Sequence, residues 1–217
     1  MTNVTRTRNP RGQGERLRED LIESALDLLS ITGDPDQVSI RAVAKSAGVS
    51  PTAAYRHFDD RDALITAACD QCFSEFTQFM LDATSTIPDP FERLSAAGTA
   101  YLSYARAESG HYRVLFSRAS EVSSTEGADF PVEGDPAGTA FQQLVVMISD
   151  CLEAGAQPTV EGDATYLGFL VWTWVHGIAD LANSHPLLTW PDLDAMVADT
   201  QRALGLVRPA ITRVRKS

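Results

Sequence analysis

The stretch SIRAVAKSAGVSPTAAYRHF, Ser39 to Phe58, sets two short helical patterns on either side of a glycine. Ser39 suits the cap of the first, because its side-chain oxygen can accept an orphan backbone N–H. Ile40, Val43, Ala44 and Ala47 fall on one apolar stripe and leave Arg41 and Lys45 on the other side. Gly48 fits the left-handed position that ends such a helix, and Val49 can fill the angle that follows. Ser50 caps the second helix with Pro51 at its first position, where a missing N–H costs nothing. Ala54 and Phe58, four residues apart, face inward and leave Thr52, Ala53, Arg56 and His57 outside. The pattern predicts a helix-turn-helix.

Small residues at the early exposed positions of the second helix have a chemical meaning. They let the helix approach base edges in a major groove, where Thr52 and Ala53 can meet a thymine methyl and Arg56 a guanine or a phosphate. Tyr55 and His57 can donate to phosphate oxygens and fix the register. On these residues alone, a helical hairpin whose outer face meets only solvent stays open as the alternative.

Outward from this stretch the chain reads as all-α. Leu17, Leu21, Ala25, Leu28 and Leu29 recur at helical spacing before Gly33, and a long helix is predicted from about residue 60 to 84. Further helices are predicted from Pro90, in GHYRVLFSR, and over AGTAFQQLVVMISDCLEAGA, residues 163–184 and residues 191–207. The segment ASEVSSTEGADFPVEGDP is polar and rich in turn formers, so it reads as a loop. No alternating strand pattern and no repeat competes.

Charge is unevenly spread along the 217 residues, whose net charge is −11. Residues 1–58 carry eight Arg and Lys against seven Asp and Glu, residues 59–207 six against twenty-two, and residues 208–217 four against none. An acidic body with basic ends follows, and TRTRNPRGQGER has the composition of a flexible basic arm able to lie along phosphates. No apolar run approaches the ~20 residues that span a bilayer, and the N-terminus lacks a secretory h-region. A cytoplasmic protein without a membrane partner is expected, with Cys69, Cys72 and Cys151 reduced. Cys69 and Cys72, three apart, raise one rival reading, a thiol- or metal-responsive site completed by Cys151 or His57. Two small buried thiols are the commoner outcome, so neither metal nor cofactor is expected. No nucleophile elbow, phosphate loop or His-Glu-x-x-His motif is found, and an enzyme is not expected.

SIRAVAKSAGVSPTAAYRHFDDRDALI resembles the DNA-binding region of the TetR family of bacterial transcriptional regulators over roughly residues 15–66. The resemblance implies that Arg41 contacts DNA from the first helix of the motif, that Pro51, Thr52 and Ala53 approach bases, and that Ser39, Tyr55 and His57 contact backbone. Ser50, capping the same helix, and Arg56 complete the expected DNA-binding set with Arg61, which stands where the family often has lysine. The family's remaining domain is helical, dimerises and holds a small effector. VWTWVHGIADL is similar to a Trp-x-x-x-His-Gly signature of one subgroup, carried here by Trp172, His176 and Gly177.

These readings combine into four expected segments. They are a basic arm over 1–14, a helix-turn-helix domain over 15–60, a helical effector and dimerisation domain over 61–208, and a basic tail over 209–217. The helix over 163–184 is apolar nearly all round and needs partners on more than one side, with Gly168 and Gly177 permitting close approach. It and the helix over 191–207 are the expected subunit interface of a homodimer reading a pseudo-palindromic operator in double-stranded DNA. Phe76, Met80, Tyr101, Tyr104 and Phe116 are effector-site candidates from the first half of that domain. Phe141, Met147, Phe169, Trp172 and His176 are those from the second, and together they suit an apolar or aromatic effector. Each has core packing as its alternative. A repressor released from DNA by that effector is the expected activity.

Overall fold

A computed structural model describes residues 13–116 and 136–209. Among these residues the chain forms nine α-helices and one 3-10 turn, with no strand, in agreement with the all-α expectation. The expected arm before Gln13, the expected loop over 119–136 apart from Pro136, and the tail beyond Pro209 lie outside the described residues.

Two compact units divide the chain, Met1–Cys72 with Arg113–Glu126 and Phe73–Tyr112 with Gly127–Ser217. The first contains α1 (Gln13–Thr32), a 3-10 turn (Pro35–Gln37), α2 (Ile40–Ser46), α3 (Pro51–Ala54) and the first part of α4 (Arg61–Thr84). Helix α1 starts within the stretch assigned to the arm. Its core face is Leu21, Ile22, Ala25, Leu26 and Leu29, with Leu17 and Leu28 half-buried at the edge. Helix α2 packs on both α1 and α3 and buries Ile40, Val43 and Ala44. Burying a side chain such as Ile40 contributes about 1.5–3 kcal/mol, the main return for ordering so short a helix.

The first unit extends into α4 as far as Cys72. The reason is burial, since Leu64, Ile65, Ala68 and Cys69 belong to the core of the first unit. The segment from Arg113 joins the same unit from far along the chain. Arg113 Nη2 donates to the Ser30 carbonyl at 2.6 Å, where a cation meets the partial negative charge at the end of α1.

The second unit holds the rest of α4 with α5 (Pro90–Ala107), most of α6 (Ser109–Leu115), α7 (Pro136–Glu153), α8 (Ala164–Ser184) and α9 (Leu193–Ala203). Aspartates set three of the starts. Asp89 accepts from the Glu92 N–H at 3.0 Å ahead of Pro90, Asp163 from Tyr166 at 2.8 Å, and Asp192 from Asp194 and Ala195. Helix α5 is central and packs against α7, α8 and α9, while α8 also packs on α7 and α9. Helix α9 buries Leu193 and Val197 within the chain, and a Cβ on Gly98 of α5 would lie 2.3 Å from Val197. That face of α9 is packed within the chain. Arg208 pairs with Asp89 and sits 5.8 Å over the Phe91 ring. Among the described residues no helix is long and apolar enough to cross a membrane.

Candidate nucleic-acid interface and aromatic site

The turn between α2 and α3 is built as its residues dictate. Ser39 Oγ accepts from the Ala42 N–H and Ser50 Oγ from the Ala53 N–H, both at 3.2 Å. Gly48 takes φ +69, and the Val49 N–H returns to the Ala44 carbonyl at 2.8 Å. Helix α3 is a single turn, Pro51 to Ala54, with Tyr55 as its C-cap in αR backbone and its N–H bonded to the Pro51 carbonyl at 3.0 Å. Turn bonds from Arg56 to Ala53 and from His57 and Phe58 to Ala54 continue the coil.

This geometry sorts the candidate residues by face. Ser39, Arg41, Ser50, Pro51, Thr52, Tyr55 and Arg56 are exposed, Ala53 and His57 are half-buried, and Ala54 and Phe58 are buried. Arg18 of α1 places its guanidinium 5.1 Å over the Phe58 ring, a cation–π contact that ties the motif's last residue to the first helix. Lys45 stands exposed beside Arg41 on α2, a second cation that the candidate set leaves out.

Arg61 is placed differently from the other candidates. Its Nε donates to the Val38 carbonyl at 2.8 Å, Nη2 donates to the Pro35 carbonyl, and Nη1 meets Asp62 at 2.8 Å. Asp36 lies 3.5 Å away. The guanidinium therefore holds the 3-10 turn and the start of α2 against the start of α4. The phosphate contact that family resemblance implies for this position competes with four internal partners.

In the second unit, most of the aromatic effector-site candidates form one continuous series of ring contacts. Tyr104 packs edge-on to Phe76 at 5.1 Å, Phe76 to Tyr101 at 5.5 Å and Tyr101 to Tyr112 at 5.9 Å. Tyr112 then meets His176 at 5.9 Å, His176 meets Trp172 at 6.2 Å, and Phe141 lies 5.9 Å from Trp172 and 4.6 Å from Phe169. Gly168 allows this last group, since a Cβ there would sit 3.2 Å from Phe141. Of the other candidates, Met147 is buried, and Met80 and Phe116 are half-buried. The sequence signal that points to the series is the i to i+4 spacing of Trp172 and His176, which sets both rings on one face of α8.

Three polar atoms converge inside it. The Tyr112 hydroxyl is 2.8 Å and the Tyr101 hydroxyl 3.2 Å from His176 Nδ1, and the two hydroxyls are 3.5 Å apart. Burial pushes the Tyr101 phenol well above its ordinary value, and the Tyr112 phenol is raised for the same reason. Burial lowers His176, and Asp180 one turn on acts in the opposite sense. Tyr112 is not among the sequence candidates, since one tyrosine in a short amphipathic segment carries no distinguishing pattern.

Cys69, Cys72 and Cys151 are all fully buried. Burial, then Asp70, pushes Cys69 up to about 12, and burial raises Cys151 to about 11. Such thiols are not thiolates at neutral pH, and thiolate is the form that binds metal or reacts. Among the described residues no group of three or more His, Cys, Asp or Glu is placed to hold a metal ion.

The sequence matches the family described as bacterial regulatory proteins, tetR family, over residues 21–68, and tetracyclin repressor-like, C-terminal domain, over residues 94–204. It is 29% identical over 111 residues to an uncharacterized HTH-type transcriptional regulator of Haemophilus influenzae, covering 51% of this chain and 54% of that protein. The matched region thus spans about half the length of that curated relative. The fold is similar to a protein of unknown function from Rhodococcus sp. RHA1, with TM-score 0.68, 26% identity, and 87% and 95% of the two chains covered. It is also similar to a TetR-family regulator structure from Rhodococcus sp., with TM-score 0.70, 14% identity, and 88% and 99% covered.

Proposed function

The chain belongs to the tetR family of bacterial regulatory proteins, and from that premise we propose that it is a homodimeric transcriptional repressor released from its operator by a small molecule. One observation carries the DNA half of this reading. The exposed face of the helix-turn-helix presents Arg41, Lys45, Thr52, Tyr55 and Arg56 together, on a motif whose other face is buried. Cations and hydroxyls that fix register surround a short turn small enough to enter a major groove. Ser39, Ser50, Pro51, Ala53 and His57 complete the contact surface.

Two subunits bring two such motifs to successive major-groove faces about 34–36 Å apart, which makes the operator a pseudo-palindrome. The outer face of α8 supports a subunit interface. Tyr166, Trp174 and Leu181 are 50%, 43% and 51% exposed at helical spacing, a costly arrangement for a surface left in water. A Cβ on Gly177 between them would meet nothing within 4 Å, leaving room for a second helix to approach.

The aromatic series of the second unit is the proposed effector site, suited to an apolar or aromatic molecule. Release requires that the effector bind the DNA-free state more tightly than the DNA-bound one, since equal affinity shifts no population. Selecting fragments from a random DNA pool with the purified protein, followed by a salt titration of the winner, tests the reading. A pseudo-palindrome bound with steep salt dependence is expected. A folded dimer that enriches nothing, even after denaturing extraction and refolding to remove bound small molecules, defeats it.

A further inference from the structure

Three helical threonines turn their hydroxyls to the carbonyl four residues back. Thr32 donates to Leu28 at 2.8 Å, Thr84 to Met80 at 2.8 Å and Thr200 to Met196 at 3.0 Å. Thr77, two turns before Thr84 on α4, does not make the corresponding bond to Phe73. Among the described residues its Oγ1 has no hydrogen-bond partner, although it is sealed from solvent. A hydroxyl buried in this way costs stability that a bond to its own helix would recover, and threonine in a helix reaches that bond by a change of χ1 alone. Held away from its own backbone, the Thr77 hydroxyl is available to a group that the chain does not supply. Its neighbours along the helix surface are apolar, Phe73 four residues before, which is buried, and Met80 three residues after, which is half-buried. Met80 is in turn a neighbour of Phe76, whose ring packs edge-on to Tyr101 at 5.5 Å and Tyr104 at 5.1 Å. Thr77 thus borders the end of the aromatic series that α4 and α5 build.

Resting on the reading of the aromatic series as the effector site, we propose that Thr77 Oγ1 is the polar anchor of that site, for a largely apolar effector bearing one neutral oxygen, a carbonyl, ether or hydroxyl. A threonine hydroxyl donates one hydrogen and also accepts, so it suits each of these. It does not suit a carboxylate. Helix α4 has no Lys or Arg beyond Arg61, and the charged residues on either side of Thr77 are Glu75 and Asp82. An anion buried there without a cation would be costly. The hydroxyl gives up its water when the protein folds rather than when the ligand arrives, so a bond to the ligand is returned without that desolvation cost.

The test uses the full-length protein and two pairs of probes matched in shape, acetophenone with ethylbenzene and 2-acetylnaphthalene with 2-ethylnaphthalene, titrated by calorimetry. The ketone of at least one pair is expected to bind about tenfold more tightly than its hydrocarbon, the return of one net hydrogen bond. Thr77→Val, which keeps the branched shape, is expected to abolish that preference by weakening the ketone alone, and Thr77→Ser to retain it. In the ligand-free protein Thr77→Val is expected to hold or raise the urea midpoint, since no bond is lost. A midpoint that falls means the hydroxyl is already bonded in the free protein, to a trapped water or to its own helix, and overturns the proposal. Equal binding of ketone and hydrocarbon, or a preference that survives in the valine variant, also overturns it, while leaving an aromatic site in place. If no probe of either pair binds, the effector-site reading falls and the anchor with it.

Discussion

Arg61 Nε donates to the Val38 carbonyl at 2.8 Å, so the first residue of α4 holds the residue that precedes the Ser39 cap of α2. Arg61→Ala leaves the Val38 and Pro35 carbonyls without this donor and is expected to destabilise the fold by about 1–3 kcal/mol in urea. It is also expected to leave the salt dependence of DNA binding unchanged, because Arg61 acts on the protein's own backbone. Arg41→Ala gives the contrasting result, with stability kept and the logarithmic salt slope reduced by about 0.9, the loss of one phosphate contact. A slope reduced by Arg61→Ala would restore the phosphate role that the family implies.

Gly48 stands at φ +69 with nothing within 4 Å of where a Cβ would point. Gly48→Ala therefore adds no clash with neighbouring groups and isolates the cost of left-handed backbone, about 1–2 kcal/mol. Urea denaturation should show that loss. An unchanged midpoint would mean the turn can be made without this conformation.

Cys69 has its folded value raised from 9.0 to about 12. The unfolded thiol loses its proton first, so the stability tied to keeping it protonated is complete below pH 9 and drains away as pH climbs from there toward about 12. Under native conditions at pH 8 a thiol reagent should leave all three cysteines unmodified, and urea should expose them together. Rapid labelling of the native protein would reopen the thiol-sensor reading.

Trp174→Glu places a charge on the outer face of α8, where no buried core residue is disturbed. Sedimentation should show a monomer with an unaltered helix content, and operator affinity should fall with the lost second half-site contact. A stable dimer would move the interface off this face.

The local chemistry of the first unit was largely readable because each instruction there is short-range. Ser39, Gly48, Ser50 and Pro51 act on residues within four positions, and caps, turn and apolar stripe follow without knowledge of the rest of the chain. The placement of Arg61 was not readable, since its partners at Pro35 and Val38 depend on how α4 packs. Nor was Tyr112, whose bond to His176 joins helices 64 residues apart in the chain. Leu64, Ile65 and Ala68 carry the same helical periodicity as the rest of α4, and periodicity says which face is buried but not against which core.

Helix α3 is one turn long, from Pro51 to Ala54, and that brevity limits how much sequence a single subunit can tell apart. In the proposed interface, Pro51, Thr52, Ala53 and Arg56 offer few side chains to base edges, enough to distinguish only a handful of base pairs. A genome presents on the order of 10⁶ competing sites or more. One half-site of that length recurs by chance far too often to mark a promoter. In the proposed dimer, the information missing from each short reader lies in the fixed distance between two of them, so subunit geometry is itself part of the address.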